Sequence, residues 1–200
     1  ISEKNKEYIF NYVLSGKKIN YGESKIEKME IINNYLIPAL DTVGGKFEKG
    51  TIFLPQLIMS AEAAQSCFEI IKDKLAVSGE ESVSKGKIVL ATVKGDIHDI
   101  GKNIVKVLLE SYGFTVIDLG KDVPPETVVS AAIEHKVKLV GLSALMTTTL
   151  GAMAETIALL NEKCPDCRTV VGGAVLTESY AKKINADFYA RDAKQSVDIA

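Results

Sequence analysis

The sequence has no tryptophan, three cysteines and two histidines in 200 residues, and these scarcities narrow what it can do. Three cysteines cannot build a disulfide framework. One pair, Cys164-Pro165-Asp166-Cys167, has the spacing of a redox couple or half a zinc site. It falls where a helix is predicted to end, whereas a redox pair needs its first thiol at a helix N-terminus, and no second Cys pair is available to complete a zinc tetrahedron. The reading is therefore a turn carrying two thiols, with Cys67 a core residue on the apolar face of a helix. No apolar run reaches the ~20 residues of a membrane span, and the opening Ile1-Ser2-Glu3-Lys4-Asn5-Lys6 is not a signal peptide. A surplus of one charge is missing too: 24 Lys and Arg are interspersed with 26 Asp and Glu, for a net charge of -2. That balance argues against nucleic acid as a partner. The expectation is a globular, cytoplasmic chain with neither nucleic acid nor membrane as a partner. Without an initiator Met, and ending inside a helical pattern at Ala193–Ala200, it reads as a piece of something longer.

What is present divides into two patterns. Apolar residues make up 46% of the chain, enough for a proper core. Over residues 4–15, Tyr8, Ile9, Tyr12 and Val13 form one helical stripe ended by Ser15-Gly16. From Ser24, the positions Ile26, Met29, Ile32, Leu36, Leu40 and Val43 recur at steps of three and four, with Pro38 predicting a kink and Gly44-Gly45 a stop. A loop over 46–54 leads to a third helix, with Pro55 in its first turn and Leu57, Ile58, Ala61, Ala64, Phe68, Ile71 and Leu75 on its apolar face. Residues 78–86, rich in Ser, Gly and charge, read as a linker. The expected division is a helical domain over 1–80 and an α/β domain over 81–200. In the latter, strands at 87–93, 114–119, 138–143, 168–172 and 186–189 alternate with helices at 100–112, 125–135, 150–163, 177–184 and from 193. Strands rich in Val, Ile and Leu and separated by helices imply a parallel sheet covered on both faces. Five such units fit the flavodoxin-like strand order 2-1-3-4-5.

That order places a ligand at the loops after strands one and three. The first loop is Gly95-Asp96-Ile97-His98-Asp99-Ile100-Gly101, with one of the two histidines, two carboxylates, and glycines at both ends that let the backbone turn sharply. His98, with Asp96 two residues before it, reads as a metal ligand or a proton donor whose ring is oriented by the carboxylate. It reads equally as an exposed residue at a solvated helix start, with Asp99 near the cap. The second loop runs from Ser143 through Thr147, Thr148 and Thr149, more hydroxyls than one helix cap requires. After strand four, Gly172-Gly173 either makes a turn or clears space for a ligand pressed on the backbone. A dinucleotide would use GxGxxG, which the first loop does not match. Flavin mononucleotide would meet two repelling aspartates, and a phosphate-receiver domain would put Asp where Ser143 stands. What remains is a large ligand reaching from His98 past Ser143 to Gly173.

Asp96-x-His98-x-x-Gly101, Ser143-x-Leu145 and Gly172-Gly173, at these spacings, resemble the cobalamin-binding fold of methionine synthase and of corrinoid proteins in other methyl-transfer systems. The resemblance covers nearly the whole chain, because the helical unit is similar to the four-helix cap that precedes this fold. It implies cobalamin as cofactor, methylcobalamin when loaded, with His98 as the lower axial ligand of cobalt in place of the cofactor's own dimethylbenzimidazole. The nucleotide tail would then run into the sheet past Ser143, Leu145 and Gly172-Gly173. Asp96 would hold the other imidazole nitrogen. Thr149, where methionine synthase has a serine, would complete a catalytic relay whose protonation weakens the histidine bond. Gly95, Ile97, Asp99 and Gly101 belong to the same histidine loop, while Thr147 and Ala193 fall where the family contacts the corrin and its tail. In the cap, Phe47 and Leu54 match apolar residues that shield the methyl face, or else simply pack helices, and Asn33 stands where methionine synthase has a glutamate. The function implied first is the cobalamin module of a methionine synthase-like methyltransferase, incomplete alone, carrying methyl from methyltetrahydrofolate to homocysteine through neighbouring methyltransferase domains. The alternative is a free-standing corrinoid protein of a methylamine or methanol system, whose loop resembles Leu142–Thr149, or a cobalamin-binding sensor.

Overall fold

The structure, a computed structural model, describes residues 32–78 and 84–200. The predicted helix over 4–15 and the start of the second lie outside the described residues. The chain divides into two compact units, one of residues before Ser84 together with Ser111–Gly113, the other of Ser84–Glu110 and Phe114–Ala200. In the first unit a π-helical turn, Ile32–Leu36, leads into α1, Ile37–Glu48, and α2 spans Leu54–Ser78. Pro38 lies in the first turn of α1, where its missing N–H leaves no gap in the ladder.

The stop predicted at Gly44-Gly45 is overturned, because α1 runs on to Glu48. An interior glycine costs about 1 kcal/mol against alanine, but Leu40 and Val43 bury the helix face, and neither glycine turns left-handed. The left-handed residue is Gly50, at φ +68°. Its N–H donates to Phe47 O and that of Thr51 to Lys46 O, each at 2.9 Å, the paired bonds that close a helix at a C-terminal glycine. Pro55 falls in the first turn of α2, as predicted, and Gln56 Oε1 accepts the Phe53 N–H at 2.6 Å, satisfying an amide before the helix. Leu57, Ala61, Ala64 and Phe68 are buried on the predicted face.

Among the described residues of the second unit, five strands form one parallel sheet: β1 Lys87–Thr92, β2 Thr115–Asp118, β3 Leu139–Ser143, β4 Arg168–Gly172 and β5 Phe188–Tyr189, in the expected order 2-1-3-4-5. The intervening helices are α3 Ile100–Ser111, α4 Pro125–His135, α5 Leu150–Lys163, α6 Glu178–Lys183 and α7 Ala193–Ile199. Right-handed crossovers in this order put α4, α5 and α6 on one face of the sheet and α3 on the other. On the first face Val89, Ala91, Val140 and Val171 share one apolar cluster with Val128 and Ala132 of α4 and Ile157 of α5. Cys164 follows α5 and accepts the Cys167 N–H at 2.9 Å, so the pair makes a turn at a helix C-terminus. Burial, with Cys164 and Asp187 nearby, pushes the Cys167 thiol up to about 12, which leaves it unreactive. Cys67 is half-buried, and burial raises its thiol as well. Among the described residues no helix is long and apolar enough to cross a membrane.

A buried cation ties α3, which follows the loop after β1, to the end of β2. Lys102, 3% exposed in α3, donates to Asp118 at the end of β2. Burial alone would raise the Asp118 carboxyl, but bonds from Lys102 Nζ and the Gly120 N–H, with the charges of Lys102 and Lys106, hold it below the usual carboxylate range. A carboxyl lowered in the folded state stabilises above its unfolded value of about 3.9, and the contribution is lost as pH falls through the folded value. Asp118→Asn is expected to cost roughly 3 kcal/mol at pH 7 by leaving Lys102 uncompensated. It should also flatten the loss of stability below about pH 4; urea unfolding of both proteins at pH 7 and pH 3 measures each effect.

Candidate functional site

The loops after β1 and β3 meet because those strands are neighbours in register, with Thr92 opposite Ser143. Beyond β1 the chain turns at Gly95, whose φ of +83° favours glycine. Asp122 clamps this turn from the loop after β2: its Oδ1 accepts the Gly95 N–H at 2.7 Å, and its own N–H donates to Asp96 O at 2.9 Å. Asp122 itself is left-handed at φ +54°, a conformation that Asp tolerates better than most residues.

Asp96 is completely buried, at 0% exposure, and its carboxylate is saturated. Oδ1 accepts the His98 N–H at 3.0 Å and lies 2.9 Å from His98 Nδ1. Oδ2 accepts the Leu145 N–H at 2.7 Å, the Met146 N–H at 3.2 Å and the Thr149 hydroxyl at 2.9 Å. Burial would raise this carboxyl, but the bonds from His98, Leu145 and Thr149 outweigh it and hold the group well below the usual carboxylate range. An ionised carboxylate only accepts, so the proton between the two residues sits on His98 Nδ1, and Nε2 stays clear of the carboxylate. The single Thr149 proton faces a second acceptor, Met146 O, at 2.8 Å. Thr149 makes no side-chain cap to α5, so the simple capping explanation of its hydroxyl does not hold.

The structure thus brings Asp96, His98 and Thr149 together. The His98 side chain is 46% exposed, and the neighbouring surface is apolar: Ile97, Ile100 and Leu145 are 61%, 77% and 41% exposed. Asp99 precedes α3, its carbonyl accepting the Asn103 N–H at 2.8 Å. Gly101 corrects an expectation: it lies inside α3 with no positive φ, so it makes no sharp turn, and a Cβ there would meet nothing within 4 Å. What its missing side chain leaves is open space three residues from His98. Gly173 is also resolved, since at φ +136° its Cβ would fall 1.9 Å from Ala144 O. This glycine lets the loops after β3 and β4 close on each other and does not open a gap. Ser143 and Gly172, ending β3 and β4, are half-buried, Thr147 is exposed, and Ala193 opens α7 half-buried. Phe47 in α1 and Leu54 at the start of α2 are half-buried in the first unit, whereas the Asp96 group lies in the second. Asn33 lies in the π turn.

Sequence reasoning missed Asp122 and the two loop amides on Asp96. Asp122→Ala removes the acceptor of the Gly95 N–H. A bond to a charged acceptor is worth about 1.5–3 kcal/mol, so exchange of the Gly95 amide is expected to accelerate roughly ten- to a hundredfold by hydrogen-exchange NMR, with the amides of Val89 and Val140 unchanged.

Among the described residues no three His, Cys, Asp or Glu side chains could enclose a metal ion. One oriented imidazole on an apolar platform instead suits a metal that brings its remaining ligands with it, as a flat macrocycle does. Residues 86–198 match the family described as the B12 binding domain, and residues 22–72 match a second family with that description. Dimethylamine corrinoid protein 1 of Methanosarcina acetivorans is 41% identical over 181 residues, 90% of this chain and 84% of that protein. Among solved structures, a cobalamin-binding protein from Desulfitobacterium hafniense superposes with a TM-score of 0.76 at 31% identity, over 96% of this chain and 87% of that one. The methanol:cobalamin methyltransferase complex MtaBC from Methanosarcina barkeri gives 0.81 at 30% identity, over 100% of this chain and 79% of that one. With a domain match over more than half its length and relatives of this similarity, the chain belongs to the B12-binding-domain family of corrinoid proteins, and its cofactor is cobalamin.

Proposed function

We propose that the chain is the methyl-carrying corrinoid subunit of a methylamine methyltransferase system, the alternative of the sequence reading, in place of the methionine synthase module expected first. The observation that carries the carrier function is the buried Asp96 carboxylate fixing Nδ1 of a half-exposed His98. The choice of a methylamine donor rests on the dimethylamine corrinoid relatives.

When bound, cobalamin supplies a cobalt centre able to take up a methyl group from one partner and release it to a thiol. The chain's own groups do the rest. His98 would hold the cobalt through Nε2, the exposed apolar side chains of Ile97, Ile100 and Leu145 would seat the macrocycle and displace water, and the space beside Gly101 would let it approach the loop. Asp96 holds the ring through Nδ1, which turns Nε2 away from the carboxylate. The Thr149 hydroxyl donates to Asp96 Oδ2 and can turn its proton toward Met146 O without leaving a buried donor unpaired. Ser143, Leu145, Gly172 and Ala193 would hold the nucleotide tail, and Gly173 holds the adjoining loops close. Phe47 and Leu54, the apolar residues that the resemblance gives to the methyl face, belong to the first unit. The partners are the methyltransferase subunits that bring the methylamine and the thiol acceptor.

Electron paramagnetic resonance of the cobalamin-loaded, desalted protein reduced to cobalt(II) tests the axial assignment. Nitrogen-15 labelling of histidine is expected to change the nitrogen splitting, and Asp96→Asn to weaken axial coordination roughly ten- to a hundredfold. A splitting indifferent to the label means the cofactor keeps its own base and His98 is not the ligand. Separately, reduced holoprotein is expected to be methylated with dimethylamine and its methyltransferase. Methylation only from methyltetrahydrofolate would restore the methionine synthase reading, and none from any donor would favour a sensor.

A further inference from the structure

Among the described residues, the Thr92 hydroxyl is a buried side-chain oxygen with no hydrogen-bond partner. Thr92 is 0% exposed and ends β1. Its backbone is satisfied, the N–H donating to Gly120 O at 2.9 Å and the carbonyl accepting the Val123 N–H at 3.1 Å, so only the side chain lacks a partner. A valine would fill the same volume without burying an unpaired polar group, which costs stability.

The register says where this oxygen lies. Thr92 pairs with Ser143, and Ser143 with Gly172, a row across the carboxyl ends of three adjacent strands. One step back along each strand, a Cβ on Gly141 would meet Leu90 Cδ2 at 2.4 Å and Val170 Cγ1 at 3.6 Å, so Leu90, Gly141 and Val170 share a face. Strand alternation puts Thr92, Ser143 and Gly172 on that face too, opposite the apolar cluster of Val89, Ala91 and Val140. The row carries two hydroxyls and a missing side chain, half-exposed at Ser143 and Gly172 and closed at Thr92. The carboxyl ends of strands are also where open parallel sheets receive ligands.

We propose that Thr92 is a specificity residue for the cofactor, its hydroxyl pairing with a polar atom of the nucleotide tail, which rests on the reading that His98 displaces the tail's base from cobalt. A base freed in this way is left with an unshared ring-nitrogen pair and needs a donor, and Thr92 is a buried donor that needs an acceptor. The bond forms only in the loaded protein, so the apoprotein is less stable with the hydroxyl than without it.

The test compares aquacobalamin with cobinamide, the same corrin lacking the nucleotide tail. Dissociation constants are measured by equilibrium dialysis for the full chain, Thr92→Val and Thr92→Ser, together with melting temperatures of the apoproteins. Thr92→Val is expected to bind aquacobalamin roughly five- to tenfold more weakly, to bind cobinamide as before, and to melt at the same or a higher temperature. Thr92→Ser, which keeps the hydroxyl, is expected to retain the aquacobalamin affinity. The proposal is overturned if Thr92→Val weakens both ligands equally or neither, or if it fails to fold, since the hydroxyl would then have a structural partner. If the unaltered chain binds cobinamide as tightly as aquacobalamin, the tail reading fails; if it binds neither, the cofactor assignment fails with it.

Discussion

The second unit is organised around one buried negative charge. A carboxylate removed from water is tolerable only when hydrogen bonds replace its hydration, and Asp96 collects donors at both oxygens from His98, Leu145, Met146 and Thr149. Those donors come from two loops far apart in sequence, so satisfying the charge joins the loop after β1 to the loop after β3. Folding of the loops and orientation of the imidazole are thus one event. The same bonds hold the Asp96 carboxyl ionised far below neutral pH and thereby fix which ring nitrogen of His98 carries the proton.

Around this charge the sheet divides its labour between faces. One face is closed by an apolar cluster with α4, α5 and α6 and supplies the rigidity that keeps strand ends in place. The other carries Thr92, Ser143, Gly141 and Gly172 at or near the carboxyl ends of its central strands, with hydroxyls and absent side chains where a core would place branched residues. A face built only for stability would not leave the Thr92 oxygen unpaired. The clamp from Asp122 and the ion pair of Lys102 with Asp118 act on the same region, holding the loop after β1 from its two sides.

Much of this was legible in the sequence, because it depends on local chemistry and on pattern. Runs of Val, Ile and Leu separated by amphipathic stretches determined the strand order, and the order determined that the loops after β1 and β3 would meet. The Asp-x-His spacing determined that carboxylate and imidazole could touch, since residues two apart in a loop are within reach whatever surrounds them. What only the tertiary structure decided is everything carried by the backbone. The amides of Leu145 and Met146 have no signature in the residue types that bear them. Asp122 is distant in sequence from Gly95 and was brought to it by the pairing of β1 with β2. The glycines show the limit best, because residue type records only that a side chain is missing. Gly44 and Gly45 continue a helix held by its buried face, Gly50 ends it, Gly101 leaves open space, and Gly173 makes room for Ala144. Those differences are set by φ angles and by neighbours distant in sequence, which exist only once the chain has folded.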